Sequence, residues 1–217
     1  TEFHSVRGNP DGSDTRRADG VELRPTTIVL ADGGRAAALK QIDALLDDNR
    51  RVLAIDPFYL GESKITQRDF LFALLVSTVG KRPLGVQAGQ VAAIARWADK
   101  HYAAGPVSVV AVGPRTSLMA LVAAGLEEQA IGGLELHESF GSLKEVIEQN
   151  KAVNEAPELF CFGLLEQFDV MQLAALAAPR PVTFVAPAER VRKDLAPLAA
   201  WYGTLGADHD PLAAGVR

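Results

Sequence analysis

The sequence contains a single cysteine, Cys161, and so the chain cannot form an internal disulfide. No group of cysteines and histidines has the spacing of a structural zinc site. No run of about 18 apolar residues is present, which excludes a membrane span, and the first residues lack the apolar stretch of a signal peptide. We therefore expect a soluble protein stabilised by packing, without a metal. The sequence leaves the cellular compartment undefined.

Clusters of basic residues are also lacking. The chain has 22 lysines and arginines against 27 acidic residues, a net charge of −5, and its cations are scattered along the sequence. A nucleic-acid-binding protein would concentrate them on one surface. The motifs of nucleotide binding are missing as well, because the turn after the first predicted strand reads DGGRA rather than GxGxxG and no P-loop occurs. We expect neither a nucleic-acid partner nor a cofactor.

The length and the apolar content indicate one folded domain. The chain has 217 residues, of which 48% are hydrophobic, enough for a single core. Residues 1–25 are rich in turn-forming residues and predict an irregular lead-in, whereas 26–217 predict the domain. Residue 1 is threonine rather than methionine. This suggests a processed product or a domain cut from a longer chain.

Short apolar runs alternate with segments of helical periodicity. Such runs, ended by glycine, proline or aspartate, are typical of strands buried on both faces. Helical connections of ten or more residues require a parallel sheet with right-handed crossovers. The sequence therefore predicts an α/β fold, a doubly wound and mainly parallel sheet with helices on both faces. The predicted strands are 26–31, 51–56, 107–112, 130–136 and 181–186, and the predicted helices begin near 39, 90, 116 and 194.

Ligands of doubly wound sheets bind beyond the carboxyl ends of the strands. The residues predicted to line such a pocket are Asp32, Gly33, Gly113, Arg115, His137 and Glu189. Aspartates at strand ends, here Asp32 and Asp56, commonly cap the turns that follow them. A single histidine such as His137 is more often structural than catalytic.

The segment VSVVAVGPRTSLMALVAAGL has the strand, the glycine, the sharp turn and the small-residue helix of an α/β-hydrolase nucleophile elbow. Arg115 stands where the nucleophile should be, and the chain contains no GxSxG. A guanidinium stays protonated and cannot attack a carbonyl. Arg115 is expected to pair with Glu189 or Asp32 and so fill the pocket, or alternatively to hold an anionic ligand.

A weaker alternative is that the chain is an active serine esterase. Ser117, Glu189 and His209 occur in the Ser, acid, His order of this fold. However, Ser117 follows the turn by two residues, which favours a local hydrogen bond at the helix start. His209 does not follow a clear final strand. The sequence therefore predicts no catalytic residue, and Ser117, Glu189 and His209 remain the weaker alternative.

Several segments are similar to those of one family. RVLAIDPFYLGES resembles the strand and DxxGxGES turn of α/β-hydrolases, and LAALAAPRPVTFVAP and WYGTLGAD resemble segments of acetyl xylan esterase and dienelactone-hydrolase-like proteins. The similarity runs from about Thr26 to Asp208. More particularly, VSVVAVGPRTSLMALVAAGLEEQAIGGLELHESFGSL is similar to the second, C-terminal domain of some large bacterial two-domain esterases.

This resemblance implies that the partner N-terminal domain of the same parent chain carries the triad and that the domain described by this sequence has lost it. The first hypothesis is thus a catalytically degenerate α/β-hydrolase-like domain, a structural or carbohydrate-proximal companion to an acetyl xylan esterase-like enzyme. Two rivals remain: an active serine esterase that uses Ser117, and a small-molecule module in which Arg115 anchors an anion.

Overall fold

A computed structural model describes residues 24–64 and 70–213. The predicted lead-in, 1–25, lies almost wholly outside these described residues. No helix in the two described ranges combines the length and the apolar composition needed to cross a bilayer.

The centre of the fold is a five-stranded sheet in the order β2-β1-β3-β4-β5, with every neighbouring pair parallel. This confirms the predicted fold class. The strands are β1 (Thr26–Ala31), β2 (Arg51–Ala54), β3 (Val107–Val112), β4 (Ile131–His137) and β5 (Val182–Val185). Two of them are shorter than the predicted runs, since β2 ends before Asp56 and β5 starts after Pro181, whose ring nitrogen has no proton to donate.

Three helices begin earlier than the periodicity predicts, at Pro83, Pro114 and Glu189, and the first two of them thus begin at a proline. The helices are α1 (Leu39–Asp47), α2 (Phe70–Thr78), α3 (Pro83–Tyr102), α4 (Pro114–Leu126), α5 (Glu145–Glu148), α6 (Leu164–Gln167), α7 (Val170–Ala177), α8 (Glu189–Leu195) and α9 (Leu198–Thr204). Pro83 and Pro114 occupy first-turn positions, where the missing N–H would have no partner in any case. The predicted closing helix is divided into α8 and α9.

The two faces of the sheet are packed differently. Helices α3, α4 and α7 cover one face with the main core, which takes in alternate residues of β3 such as Val109 and Ala111. On the other face Val110 belongs to a small cluster, against which Ile42 and Leu45 of α1 pack. Both faces of the sheet therefore carry helices.

The outer edge of β5 is met by the C-terminal segment. The backbone N–H of Phe184 donates to the carbonyl of Pro211 at 2.9 Å, and the ring Nε2 of His209 donates to the carbonyl of Val182 at 3.0 Å. Residues 209–211 thus satisfy polar groups that an edge strand would otherwise present to solvent.

Candidate functional site

The elbow at the end of β3 is a single-residue link to α4. Gly113 has a φ of +107°, and a Cβ added there would lie 2.4 Å from Cγ of Asp32. Only glycine fits this conformation and this close approach. The sharp turn predicted from Gly113-Pro114 is present, and it brings the carboxylate of Asp32 against the first turn of α4.

Asp32 caps α4. Its Oδ1 accepts from the backbone N–H of Thr116 at 2.8 Å and from the Thr116 hydroxyl at 2.9 Å, while its Oδ2 accepts from the backbone N–H of Arg115 at 3.1 Å. These are donors that a helix N-terminus offers to an anion. Asp32 was expected to cap the turn after its own strand; it instead caps the helix of the neighbouring strand, because the two strand ends lie side by side.

Burial raises the pKa of Asp32 above its ordinary range, and the hydrogen bonds from Thr116 and Arg115 oppose this without cancelling it. The backbone N–H groups of Arg115 and Thr116 hold the Asp32 carboxylate in a position that is partly shielded from water. An oxyanion at this position would have to displace the Asp32 side chain.

The Arg115 side chain forms an ion pair with Glu158. Its Nε donates to Oε1 of Glu158, which lies in a short 3₁₀ turn, Pro157–Leu159. The Glu158 side chain is fully buried and that of Arg115 is 16% exposed. Burial lowers the pKa of Arg115, but the hydrogen bond and charge of Glu158 outweigh this and raise it. The guanidinium therefore stays charged.

The predicted partners of the Arg115 side chain were Glu189 and Asp32, and the first is wrong. Glu189 is exposed at the start of α8, while Asp32 binds the backbone of Arg115 rather than forming a hydrogen bond with the guanidinium. Sequence reasoning missed Glu158. Its only signal in the sequence is an acidic residue among the apolar residues Ala156, Pro157 and Leu159, in a segment with no clear periodicity.

The ion pair lies in a buried polar environment. In the described part of the chain, Nη2 of Arg115 and Oε2 of Glu158 are buried and make no hydrogen bond. Gln87 of α3 is also fully buried, and its Nε2 donates to the carbonyl of Phe58 at 2.8 Å. This bond fixes the loop that carries Tyr59. The Tyr59 side chain is buried, and its electrostatic interaction with Arg115 raises the pKa of Arg115. Protein groups thus occupy the space above the elbow.

Asp56 plays a similar capping role one strand away. Its carboxylate accepts from the backbone N–H of Arg35 at 2.6 Å and from that of Glu62 at 3.0 Å. A Cβ on Gly61, which has a φ of +49°, would lie 2.3 Å from the Asp56 carboxylate. Asp56 thus joins the two 3₁₀ turns that follow β1 and β2, including the turn after its own strand, as the sequence predicts.

The structure does not bring Ser117, Glu189 and His209 together through hydrogen bonds. Ser117 is fully buried in α4, and among the described residues its hydroxyl has no hydrogen-bond partner, so the predicted local hydrogen bond at the helix start is wrong. The Nε2 of His209 is engaged by the Val182 carbonyl, and its ring packs edge-on against Tyr202 with the centroids 4.9 Å apart.

The other predicted pocket residues divide between two places. Gly33 lies in the turn after β1, close to the elbow, where an added Cβ would be 2.9 Å from Cβ of Ala37. His137 lies at the end of β4 and lines a groove on the α1 side of the sheet, where its Nε2 is 2.8 Å from Oε1 of Glu135. Within the described ranges no three His, Cys, Asp or Glu side chains are placed to bind a metal ion.

Comparisons with known proteins support the fold alone. No protein-family model and no curated protein matches the chain. A Bacteroides fragilis protein, provisionally assigned as an acetyl xylan esterase, has a similar crystal structure: the TM-score is 0.69 at 14% identity, covering 88% of this chain and 58% of that one. An uncharacterized Bacillus cereus protein has a TM-score of 0.52 at 10% identity, covering 92% of this chain and 55% of that one. The chain thus has an esterase-like α/β fold and spans little more than half of either structure.

Proposed function

We propose that this chain is a catalytically degenerate α/β-hydrolase-like domain that serves as a structural or accessory companion to an acetyl xylan esterase-like carbohydrate esterase. The observation that carries the proposal is the occupation of the elbow by the protein's own charged groups. The Asp32 carboxylate takes the first backbone donors of α4, and Glu158 binds the Arg115 side chain.

Ester hydrolysis on this fold needs a nucleophile at the elbow and free donors for the oxyanion of the tetrahedral intermediate. Arg115 supplies no nucleophile. The backbone N–H of Thr116, next after Arg115, corresponds to a donor of the oxyanion hole, and it is bound to Asp32 at 2.8 Å. Both requirements are therefore unmet in the same turn.

The accessory role rests on the resemblance of residues 107–143 to the second domain of two-domain esterases. The fold similarity to the Bacteroides fragilis protein, of which this chain covers 58%, is compatible with that role. The five-stranded sheet and its core are retained although the elbow carries no nucleophile, as expected of a domain kept for a structural role. We infer that the esterase partner is a triad-bearing domain of the same parent chain.

The two rival functions have weaker support. An esterase built on Ser117 would need a general base beside a buried hydroxyl, while the ring Nε2 of His209 is bonded to a backbone carbonyl. An anion-binding module built on Arg115 would have to compete with the buried carboxylate of Glu158.

Labelling with a fluorophosphonate probe, read by intact-protein mass spectrometry, tests the loss of catalysis. We expect the folded chain to remain unlabelled, because Arg115 occupies the nucleophile position of the elbow. The Ser117→Ala variant and the urea-unfolded chain serve as controls for unspecific labelling. Stoichiometric labelling of the folded wild-type chain that disappears in Ser117→Ala would overturn the proposal.

The companion role has its own test. The deacetylation rate and thermal stability of the triad-bearing domain of the parent chain are measured with and without this chain. We expect a higher melting temperature or a higher rate on acetylated xylan in its presence. Identical values at saturating concentrations would refute the companion role while leaving the loss of catalysis intact.

A further inference from the structure

In residues 24–64 and 70–213, no helix packs over half of one sheet face. In the sheet register, Val110 of β3 is level with Glu135 of β4, which is level with Thr183 of β5. Since laterally paired residues share a face, Glu135 and Thr183 lie on the side of Val110, the side that α1 covers. Helix α1 packs over β1 and β2 and leaves this side of β4 and β5 open.

The open area is a groove of about 1210 Å³ between α1, β4 and β5. Parallel sheets are ordinarily covered on both faces. Here His137 is 20% exposed and Glu135 is 48% exposed, and Thr183 and Val185 are half-buried. A partly apolar sheet surface beside a packed helix is a surface suited to docking a second helix.

The groove carries a negative charge. Its lining includes the acidic residues Asp48, Glu135, Glu138 and Glu145, and Lys40 is its one lysine or arginine among the described residues. Charge complementarity therefore favours a basic occupant.

The size of the groove fits a short helix. An α-helix with its side chains is about 10–12 Å across and rises about 1.5 Å per residue, so the groove accommodates roughly two to three turns. We propose that the open face of β4 and β5 docks a basic amphipathic α-helix of a partner protein. Its apolar stripe lies along Val185 and the methyl group of Thr183, and its lysines or arginines meet Glu135 and Glu138. This inference does not depend on whether the elbow is catalytic.

The probe is a synthetic peptide of about fourteen residues. It carries leucines at i, i+3, i+4 and i+7 and lysines on the flanks of that stripe. Binding to the full chain is measured by titration calorimetry, and the site is mapped by backbone amide chemical shifts. We expect a shift of the amides of β4, β5 and α1, weaker binding at higher salt, and no binding of a scrambled peptide or of one with glutamate in place of lysine.

Charge reversal in the groove provides the decisive comparison. The double variant Glu135→Lys, Glu138→Lys is expected to weaken binding at least about tenfold. The control Glu166→Lys, Asp208→Lys changes the net charge equally at exposed residues outside the groove and should leave the affinity within about twofold. Thr183→Lys is a second groove variant with the same expected loss.

Three results would overturn the proposal. Equal losses in the groove and control variants would mean that the peptide responds only to net charge. A second such result is that sedimentation shows the chain to form a dimer, with the same amides protected from hydrogen exchange in that dimer. This result would assign the face to a second copy of the chain. Tighter peptide binding after deletion of residues 1–23 would assign it to the chain's own N-terminal segment.

Discussion

The buried ion pair of Arg115 and Glu158 allows a quantitative prediction. Glu158→Gln keeps the size of the side chain but removes its charge. The guanidinium of Arg115 then lacks its hydrogen-bonded countercharge, in a site where Arg115 is only 16% exposed and Glu158 is fully buried. Removing one partner of a buried ion pair costs about 3–5 kcal/mol. The glutamine carbonyl can still accept one hydrogen bond, so we expect the lower end, about 3 kcal/mol.

The expected effect is large enough to measure by two methods. For a domain of this size, about 3 kcal/mol corresponds to a fall of roughly 6–12 °C in melting temperature. Urea unfolding followed by circular dichroism gives the free energy of unfolding directly. The matched control is Glu62→Gln, which breaks an exposed pair with Arg35 whose side chains are 76% and 45% exposed. That change should cost at most about 1 kcal/mol.

A double variant separates the effect of the two charges from the effect of the volume that the two side chains fill. Arg115→Met with Glu158→Leu replaces both charges by apolar groups, and we expect a stability close to that of the wild type, because neither charge is left unpaired. If Glu158→Gln is no more destabilising than Glu62→Gln, the reasoning that the charges of Arg115 and Glu158 stabilise each other in a buried site is refuted.

Three further predictions concern the elbow and the β5 edge. Gly113→Ala places a side chain at a positive φ and against Asp32, whereas at Gly206 φ is also positive but the space is open. Gly113→Ala should therefore lower the free energy of unfolding by at least about 1 kcal/mol more than Gly206→Ala does. Urea unfolding compares the two variants, and equal costs would contradict the close packing at Gly113. Burial raises the pKa of Asp32, so the stabilising effect of its bound proton is complete below the unfolded pKa of about 3.9 and is lost as the pH rises through the higher folded value. The free energy of unfolding of the wild type minus that of Asp32→Asn should therefore fall as the pH rises from about 3.9, and a rise measured across a pH series would refute this. His209→Ala should cost about 1–3 kcal/mol through the lost bond to the Val182 carbonyl, and an unchanged melting temperature would argue against that contact.

The strands were the most predictable part of the fold. A strand between two helical layers is apolar on both sides, so β1 and β3 appear in the sequence as nearly continuous apolar runs. The start of α3 was not predictable from periodicity alone. The buried residues of its first two turns include a polar one, Gln87, and a small one, Ala88, so they form no continuous apolar stripe. Gln87 binds the backbone of the loop at Phe58.

The candidate site was only half predictable. The position of Arg115 at the elbow follows from local features, the strand, the glycine and the turn. Its partner Glu158 lies 43 residues away, in a segment of irregular structure whose path depends on the whole domain. Asp32 caps a helix that begins more than 80 residues later, because parallel strands place their carboxyl ends together whatever their distance in sequence.

The closed elbow is expected to hydrolyse no ester. This is measured as the rate of 4-nitrophenyl acetate hydrolysis by the wild-type chain, by Ser117→Ala and by buffer alone. We expect both proteins to give the same rate per mole, without saturation by substrate. A saturable wild-type rate that is abolished in Ser117→Ala would show that the chain is an active serine esterase.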